Sequence, residues 1–256
     1  MERKLWSNEE MILSLALYYK LPFGRLNQRT PEVQELAKLI GRTPSSVALR
    51  LGNYAACDPY IVNSGRTGMV AGIARCKPFW DEYANNQEKL FLDAEVIKSS
   101  MLNKTIEEVL QINLNDFIGK EKETVIKQRI NQNSFRAVIL ANYNEQCAIA
   151  GACIPQLLIA SHIVPWSADE NNRLNPANGI CFSPLYDKAF DKGYISVCPD
   201  DYTVMLSNEL KSYKKFEFYK NYFETIEGKS IILPTKHKPN SLFLTYHIEN
   251  VFSKHN

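Results

Sequence analysis

The sequence predicts an α+β fold, in which an N-terminal bundle of helices is followed by a small unit of strands and one short helix. Within residues 6–56, apolar residues recur at helical spacing between capping signals. Residues 157–197 instead contain short apolar runs separated by a polar loop, a pattern typical of paired strands. The 256 residues are 45% hydrophobic and 23% charged, which suits a globular protein of one or two domains.

Three helices are predicted within residues 6–56. Ser7 and Glu10 have the spacing of a capping box ahead of the first helix. Thr-Pro pairs at 30–31 and 43–44 open the second and third helices, because Thr caps a helix and Pro fits its first turn. The four residues G-R-T-P between the last two helices make this pair similar to a helix-turn-helix.

A helix-turn-helix can bind DNA by placing its second helix in the major groove. A plain three-helix bundle without DNA contacts is the alternative. If the bundle binds DNA, Arg25 and Arg29 are available for phosphates, and the predicted contacts from the helix pair are Arg42, Ser45, Ser46 and Arg50.

The pattern is weaker between this bundle and the strands. Glycines after residue 60 predict a loop with one turn of helix, and a helix is predicted over 80–100. The charged residues 101–124 are interpreted as a linker. The predicted organisation is therefore a helical, DNA-binding domain over 1–100 and a second domain over 125–256.

The second domain begins with a predicted helix that ends near Tyr143. Its basic side chains Lys127, Arg129 and Arg136 suit contacts with the phosphates of a nucleic acid. A solvated basic face on an ordinary helix is an equal alternative.

A strand, a loop, a second strand and a short helix are predicted between 157 and 193. Residues 157–164 are β-branched and apolar, and 179–182 resume that pattern after a loop rich in Asn and Asp. Ser183 then supplies an N-cap for a helix over 184–192, and Gly193 ends it.

Three polar residues of this unit are candidates for chemistry. His162 lies near the end of the first strand, Asn178 precedes the second, and Asp187 lies in the first turn of the helix. A neutral imidazole can accept a proton from water at pH 7, and a carboxylate can hold a divalent cation. A strand-end His is often only a surface residue, and an Asp near a helix start only a capping charge. The combination of all three in this pattern favours a catalytic site.

The runs S-H-I-V-P-W, N-P-A-N-G-I and L-Y-D-K-A-F-D-K-G resemble the motifs of the HNH family of metal-dependent nucleases, whose fold is a β-hairpin packed on a short helix (ββα-metal). The upstream run R-x-N-Q-x-x-F-R, followed by C-A-I-x-G, resembles the entry helix of many HNH nucleases. The N-terminal helical segment resembles the region that accompanies some HNH nucleases of restriction type. The resemblance implies that His162 is the general base, that Asn178 ties the loop to the hairpin, and that Asp187 binds the metal. It also implies products with 5′-phosphate and 3′-hydroxyl ends.

The position before the base departs from the family pattern. Many relatives carry Asp or His there as a second metal ligand, whereas this chain has Ser161. A hydroxyl is a weak ligand for a hard divalent ion. The second ligand is therefore expected to be Ser161, Asp191, Asp169, a backbone carbonyl or a water. The implied cofactor is one Mg²⁺ or Mn²⁺ ion per active site, without an organic cofactor.

Six scattered cysteines suit free thiols in a reducing compartment such as the cytoplasm. Cys147 and Cys153 are separated by five residues, more than in usual zinc sites, and no second CxxC follows. A structural zinc is therefore not expected. Neither a signal peptide nor a membrane span is expected, because the longest apolar runs are short.

The C-terminal part predicts a hairpin over 194–206 and a segment rich in Lys and aromatic residues over 209–229. Helical spacing favours a packed face there, with nucleic-acid binding as the alternative. The residues of that face are Tyr213, Phe216, Tyr219 and Phe223. The remaining histidines, His237, His247 and His255, are expected at the surface.

The main interpretation is a metal-dependent endonuclease of restriction or phage-defence type that acts on double-stranded DNA. One such site cuts one strand at a time, so double-strand cleavage would require a homodimer or a second engagement. Two alternatives are kept: a DNA-binding regulator whose nuclease unit is inactive, and a nuclease directed at RNA. The net charge of +2 decides between none of them.

Overall fold

A computed structural model of the chain describes residues 5–113, 119–152, 154–234 and 236–255. These residues form two compact units, which divide between Ala137 and Val138. The first unit is helical, and the second combines short helices with three two-stranded sheets, so the fold is α+β, as predicted. None of the helices described is both long enough and apolar enough to cross a membrane.

The first unit consists of α1 (Asn8–Lys20), α2 (Pro31–Leu39), α3 (Pro44–Cys57), α4 (Pro59–Asn63), α5 (Ile73–Tyr83), α6 (Gln87–Leu102), α7 (Ile106–Leu110) and most of α8 (Gly119–Asn142). The three helices predicted within 6–56 are confirmed as α1, α2 and α3. At α1 the capping box is present: Ser7 Oγ accepts the N–H of Glu10 at 3.3 Å, and Glu10 Oε2 accepts the N–H of Ser7 at 2.9 Å.

Helices α1, α2 and α3 pack on one another around apolar side chains. Buried phenols link them: Tyr18 donates a hydrogen bond to Asp58 Oδ2 at 2.6 Å, and Tyr54 donates one to the carbonyl of Met11 at 3.0 Å. These bonds satisfy polar groups that could not remain unpaired in the core without a large cost.

After residue 59 the structure differs from the sequence-based prediction in three places. The single helix predicted over 80–100 is two helices, α5 and α6, because the Asn86 side chain accepts the N–H of Lys89 at 3.2 Å and starts a new helix. The segment after residue 60, predicted as a loop with one turn of helix, contains the rest of α4 and the start of α5. The segment interpreted as a linker contains α7 and the beginning of α8, and the two units divide further along, within α8.

The second unit contains β1 (Gln146–Cys147), β2 (Gly151–Ala152), β3 (Ile159–His162), β4 (Gly179–Phe182), α9 (Pro184–Asp191), β5 (Ile195–Val197), β6 (Val204–Leu206), α10 (Asn208–Lys211), α11 (Glu217–Tyr219) and α12 (Ser241–Asn250). Each sheet is an antiparallel pair, β1 with β2, β3 with β4, and β5 with β6. In the central pair, Ile159 lies opposite Phe182 and His162 opposite Gly179. Helix α9 packs on β3, β4 and β5.

Gly193 ends α9 in a left-handed conformation, with φ of +72°. A side chain there would be excluded for a second reason, because a Cβ atom would lie 2.6 Å from the carbonyl oxygen of Val251. The predicted stop signal is thus also the point where the chain after α12 approaches the end of α9.

Two further predictions in this unit need correction. Tyr219 and Phe223 are buried as predicted, but Tyr213 and Phe216 are 51% and 62% exposed. Regular helical spacing does not hold there, because the segment consists of α10, α11 and a π-helical turn over 220–224. The surface position predicted for His247 is also wrong. This side chain is 2% exposed, because its helix, α12, packs on β5.

Candidate active site

The β3–β4 hairpin and α9 bring together His162, Asn178, Asp187 and Ser161 in the second unit. The predicted strand over 157–164 is shorter in the structure, since Pro155–Leu157 form a 3₁₀ turn and pairing ends at His162. The loop between the strands begins after Val164 and returns at Asn178.

His162 is oriented by a backbone group of the loop. Its Nε2 lies 3.0 Å from the carbonyl oxygen of Arg173, and its ring meets that of Trp166 edge-on at 5.5 Å. Because a carbonyl can only accept, Nε2 carries the proton in the neutral ring and Nδ1 carries the lone pair. Burial lowers the pKa of His162 below 6.5, and the Arg173 hydrogen bond opposes that shift. The imidazole is therefore neutral at pH 7 and can act as a base.

Asn178 is 1% exposed and closes the loop at its base. Its Oδ1 accepts the N–H of Val164 at 2.8 Å, while its Nδ2 donates to the carbonyls of Val164 and Asn172, each at 3.2 Å. Its own carbonyl accepts the N–H of Ile163 at 3.0 Å. These bonds fix the backbone directly after His162.

The loop has its own hydrogen-bond network, which includes one of the candidate metal ligands. Asp169 Oδ1 accepts the N–H groups of Asn171 and Asn172, and its Oδ2 accepts the side-chain amide of Asn172 at 2.7 Å. Asp169 thus stabilises the loop, which leaves Asp191 as the better candidate for a second acidic ligand.

Asp187 and Asp191 lie four residues apart on α9 and so on the same side of that helix. Burial raises the pKa of Asp187, and the pKa of Asp191 is raised by burial and by the negative charge of Asp187. Ser183 precedes the helix as predicted, although its side chain makes no capping hydrogen bond. Two carboxylates in mutual repulsion are a natural site for a cation.

Ser161 faces this pair from β3. It is 3% exposed, and its Oγ makes no hydrogen bond of normal geometry with any described residue. The hydroxyl is nevertheless close enough to Asp187 to lower the pKa of that carboxyl. A buried hydroxyl without a partner costs free energy unless something else binds it.

The three oxygen-bearing groups fit a hydrated divalent ion. Within the described ranges, no cluster of three or more His, Cys, Asp or Glu side chains could enclose a metal. Mg²⁺ does not require one, since it usually keeps several waters and binds one or two carboxylates together with substrate phosphates. Asp187 and Asp191, with the hydroxyl of Ser161, provide such a donor set.

The predicted DNA contacts of the helix pair lie in the first unit. Arg42 is held in place: its guanidinium lies 2.7 Å from Glu10 Oε2 and 4.3 Å from the ring centre of Trp6. The Arg50 guanidinium also lies over the Trp6 ring, 4.8 Å from the ring centre. Ser45 is exposed and Ser46 partly exposed at the start of α3.

The basic residues of α8 also belong to the first unit. Lys127 forms an exposed ion pair with Glu88 at 3.3 Å, Arg129 is exposed and Arg136 is partly exposed.

Cys147 and Cys181 are buried thiols that form no disulfide, and Cys147 Sγ accepts the N–H groups of Ala150 and Ser183. Cys153, the other half of the C-x5-C spacing, lies outside the described residues.

Arg173 is the member of the site that sequence reasoning missed. Its carbonyl orients His162, and its side chain lies over the ring of Trp166 at 5.1 Å and donates to the Trp166 carbonyl at 2.9 Å. A contact made by a backbone carbonyl leaves no signal in residue type. Only the aromatic–basic pairing of Trp166 and Arg173 could have indicated that the two ends of this loop meet.

A hairpin on a short helix, with a neutral His and a pair of carboxylates, is an arrangement suited to metal-assisted hydrolysis. The family model described as HNH endonuclease matches residues 147–197 of this chain. The match includes β3, β4 and α9 with all four polar residues of the site, and it supports the HNH family and a nuclease activity. A comparison with curated proteins finds no match.

Proposed function

We propose that this protein is a metal-dependent endonuclease of restriction or phage-defence type that hydrolyses phosphodiester bonds in double-stranded DNA. The observation that carries the proposal is the pairing of two features in one hairpin–helix unit. One is a neutral His162 held by the Arg173 carbonyl, and the other is an acidic pair on α9 with the buried Ser161 hydroxyl beside Asp187.

In this reaction His162 Nδ1 takes a proton from the attacking water, and the hydrogen bond from Nε2 to Arg173 keeps the ring in the required tautomer. Asp187 and Asp191, with Ser161, would hold a Mg²⁺ or Mn²⁺ ion. When bound, that ion would neutralise the charge that develops on the phosphoryl and leaving oxygens. Asn178 holds the backbone after His162, so that the base keeps its position relative to the hairpin.

Water attacks phosphorus, and the bond from phosphorus to the 3′ oxygen of the preceding nucleotide breaks, so the phosphate stays on the 5′ end of the downstream product. The other product then carries a 3′-hydroxyl. A single site cuts one strand at each encounter, so cleavage of both strands by this protein would proceed through a homodimer or two encounters.

The proposal is tested by incubating supercoiled plasmid with purified protein and Mg²⁺, Mn²⁺ or EDTA. Nicking that requires the metal and is absent in His162→Ala is the expected result. His255→Ala is the matched control, since that histidine is exposed and pairs with Glu209. Full cleavage by His162→Ala would contradict the assignment of the base.

Ser161 carries no charge, and a hydroxyl is a weak ligand for a hard divalent ion. This favours one second candidate, a DNA-binding regulator whose site does not retain a catalytic ion. This candidate predicts a gel shift that high salt abolishes and no cleavage with any divalent ion. DNA and RNA of matched sequence, incubated with the protein and the same metals, would separate a deoxyribonuclease from a ribonuclease.

A further inference from the structure

The second unit has an apolar groove of about 630 Å³ on the side of α9 that is lined by Leu185, Lys188, Ala189 and Lys192. We call it the aromatic groove, because its other lining residues are mostly rings: Tyr194, Leu210, Tyr213, Phe216, Phe218, Tyr219 and Phe223. Its volume lies within the range of about 300–1,000 Å³ that is usual for sites that bind small organic groups.

Three rings stand exposed at the edge of this groove, while its floor is buried. Tyr213, Phe216 and Phe218 are 51%, 62% and 56% exposed, whereas Tyr219 and Phe223 are 4% and 3% exposed. The floor rings hold the segment to the fold, whereas each edge ring exposes about half or more of its surface to solvent. Adjacent exposed rings of this kind mark a surface that binds a partner.

The groove is bordered by four lysines. Lys188 and Lys192 line it, and Lys214 and Lys215 are exposed in the segment that forms its edge. Among the described residues none of these four lysines has a carboxylate within 4.0 Å, in contrast to Lys211 and Lys220 of the same segment, each of which pairs with a glutamate. Lys188 and Lys192 interact over a longer distance with Asp187 and Asp191. Exposed rings among ammonium groups suit a ligand that is planar, apolar on its faces and anionic along its backbone.

The groove and the acidic pair lie on neighbouring sides of one helix. Asp187 and Asp191 each precede a groove lysine, so the two rows are turned by about 100° from each other around α9. An α-helix is only about 10 Å across with its side chains. A nucleic-acid strand whose phosphate is held at the acidic pair can therefore pass over α9 into the groove within very few nucleotides.

We infer that the aromatic groove binds an unpaired nucleobase of the substrate strand close to the scissile phosphate. The base stacks on Phe216 and Phe218, and Lys188 and Lys192 contact its flanking phosphates. This inference rests on the proposed function, because it assigns a second contact to the same substrate. A purely apolar peptide would gain nothing from the four lysines. A second copy of the chain would bring the same four lysines to the contact, and these like charges would repel each other.

The test uses the full chain in EDTA, where binding can be followed without cleavage. The probe is a short single-stranded DNA with one 2-aminopurine, whose fluorescence falls when it stacks on a ring. We expect quenching by the unsubstituted protein, and about tenfold or greater loss of affinity in Phe216→Ala or Phe218→Ala. Leu242→Ala is the matched control, since Leu242 is 75% exposed on α12 and does not line the groove.

Two results would overturn the inference: equal affinity of Phe216→Ala and Leu242→Ala for the probe, or a dimer in sedimentation that Phe216→Ala converts to a monomer. The second would assign the groove to a copy of this chain. Probe quenching that depends on Phe216 in a protein that cuts no plasmid would support the groove and reject the nuclease. Metal-dependent cutting without that quenching would do the reverse.

Discussion

The Asn178 side chain bonds both backbone groups of Val164, accepting its N–H at 2.8 Å and donating to its carbonyl at 3.2 Å. These two hydrogen bonds resemble those between neighbouring strands, at the point where the pairing of β3 with β4 has ended. They fix the chain two residues after His162, so the position of the His162 ring depends on the Asn178 side chain.

Asn178→Ala removes both of these bonds and leaves buried backbone groups unsatisfied. We expect it to lower the free energy of unfolding by about 2 kcal/mol or more and to reduce the cleavage rate. Urea unfolding and plasmid nicking would be measured together. Asn171→Ala is the control, because Asn171 is exposed and the loop uses only its backbone N–H. Equal stability of the two variants would show that the Asn178 bonds contribute little.

The pH dependence of cleavage should follow His162. Only the neutral ring accepts a proton, and burial lowers its pKa below 6.5, so protonation stops the reaction only at lower pH. At saturating metal, the rate is expected to fall to half of its maximum at a pH below 6.5, the pKa of an unperturbed histidine. A profile that loses half its rate above pH 7 would contradict a buried neutral base.

Stability should depend on pH through His247. Its Nε2 donates to the carbonyl of Phe190, its Nδ1 accepts from Ser196 Oγ, and burial lowers its pKa to about 4. The unfolded chain therefore binds one proton more than the folded chain between pH 6.5 and 4, and stability falls as pH falls through that window.

The free energy of unfolding is expected to fall by about 3 kcal/mol, because the pKa of His247 is 6.5 in the unfolded chain and about 4 in the folded one. Chemical denaturation at pH 7 and at pH 4 would measure it. His247→Gln should be less stable at pH 7 and lose this part of the pH dependence. An unchanged slope in that variant would assign the acid sensitivity to other groups.

Arg42 is expected to act in stability rather than in DNA contact. Its ion pair with Glu10 is buried on both sides, with side chains 10% and 5% exposed. Arg42→Ala removes the charge partner of the buried Glu10 carboxylate, so we expect a loss of about 3–5 kcal/mol in the free energy of unfolding. Arg29→Ala, at an exposed site, should leave stability unchanged. A folded Arg42→Ala variant of normal stability with weakened DNA binding would reverse this assignment.

Ser161→Asp tests the metal site directly. A third carboxylate beside Asp187 and Asp191 strengthens repulsion without an ion and attraction with one. We expect a lower melting temperature in EDTA than for the unsubstituted protein, and a larger rise on addition of Mn²⁺. Ser161→Ala should bind Mn²⁺ no better than the unsubstituted protein. If Mn²⁺ stabilises Ser161→Asp and Ser161→Ala equally, the ion does not bind next to β3.

The site residues could be found in the sequence because they lie in short local motifs. His162 lies three residues before Pro165, and Asn178 lies directly before the Gly that starts β4. Asp187 lies four residues after the N-cap Ser183. Each position is therefore set by its neighbours in the chain. The first three helices were predictable for the same reason, since their caps are local.

Features that depend on distant contacts could not be predicted in this way. His247 is buried because α12 returns to β5 some fifty residues later, and no pattern around His247 indicates that contact. The exposed rings at 213 and 216 were predicted as packed because one regular helix was assumed, whereas α10 ends at Lys211 and α11 begins at Glu217, so both rings lie in the turn between them. Arg173 acts through its carbonyl, which every residue type shares.

The close approach of Gly193 to the Val251 carbonyl, with the His247 ring stacked 3.7 Å from that of Phe190, has a consequence for biosynthesis. Both contacts support α9, the helix of the acidic pair, and both come from α12 and the residues after it. On the ribosome, α9 emerges well before α12 is made. A nascent chain can thus contain α9 and still lack the contacts that support it, so we expect the acidic pair to reach its final arrangement only after α12 has docked.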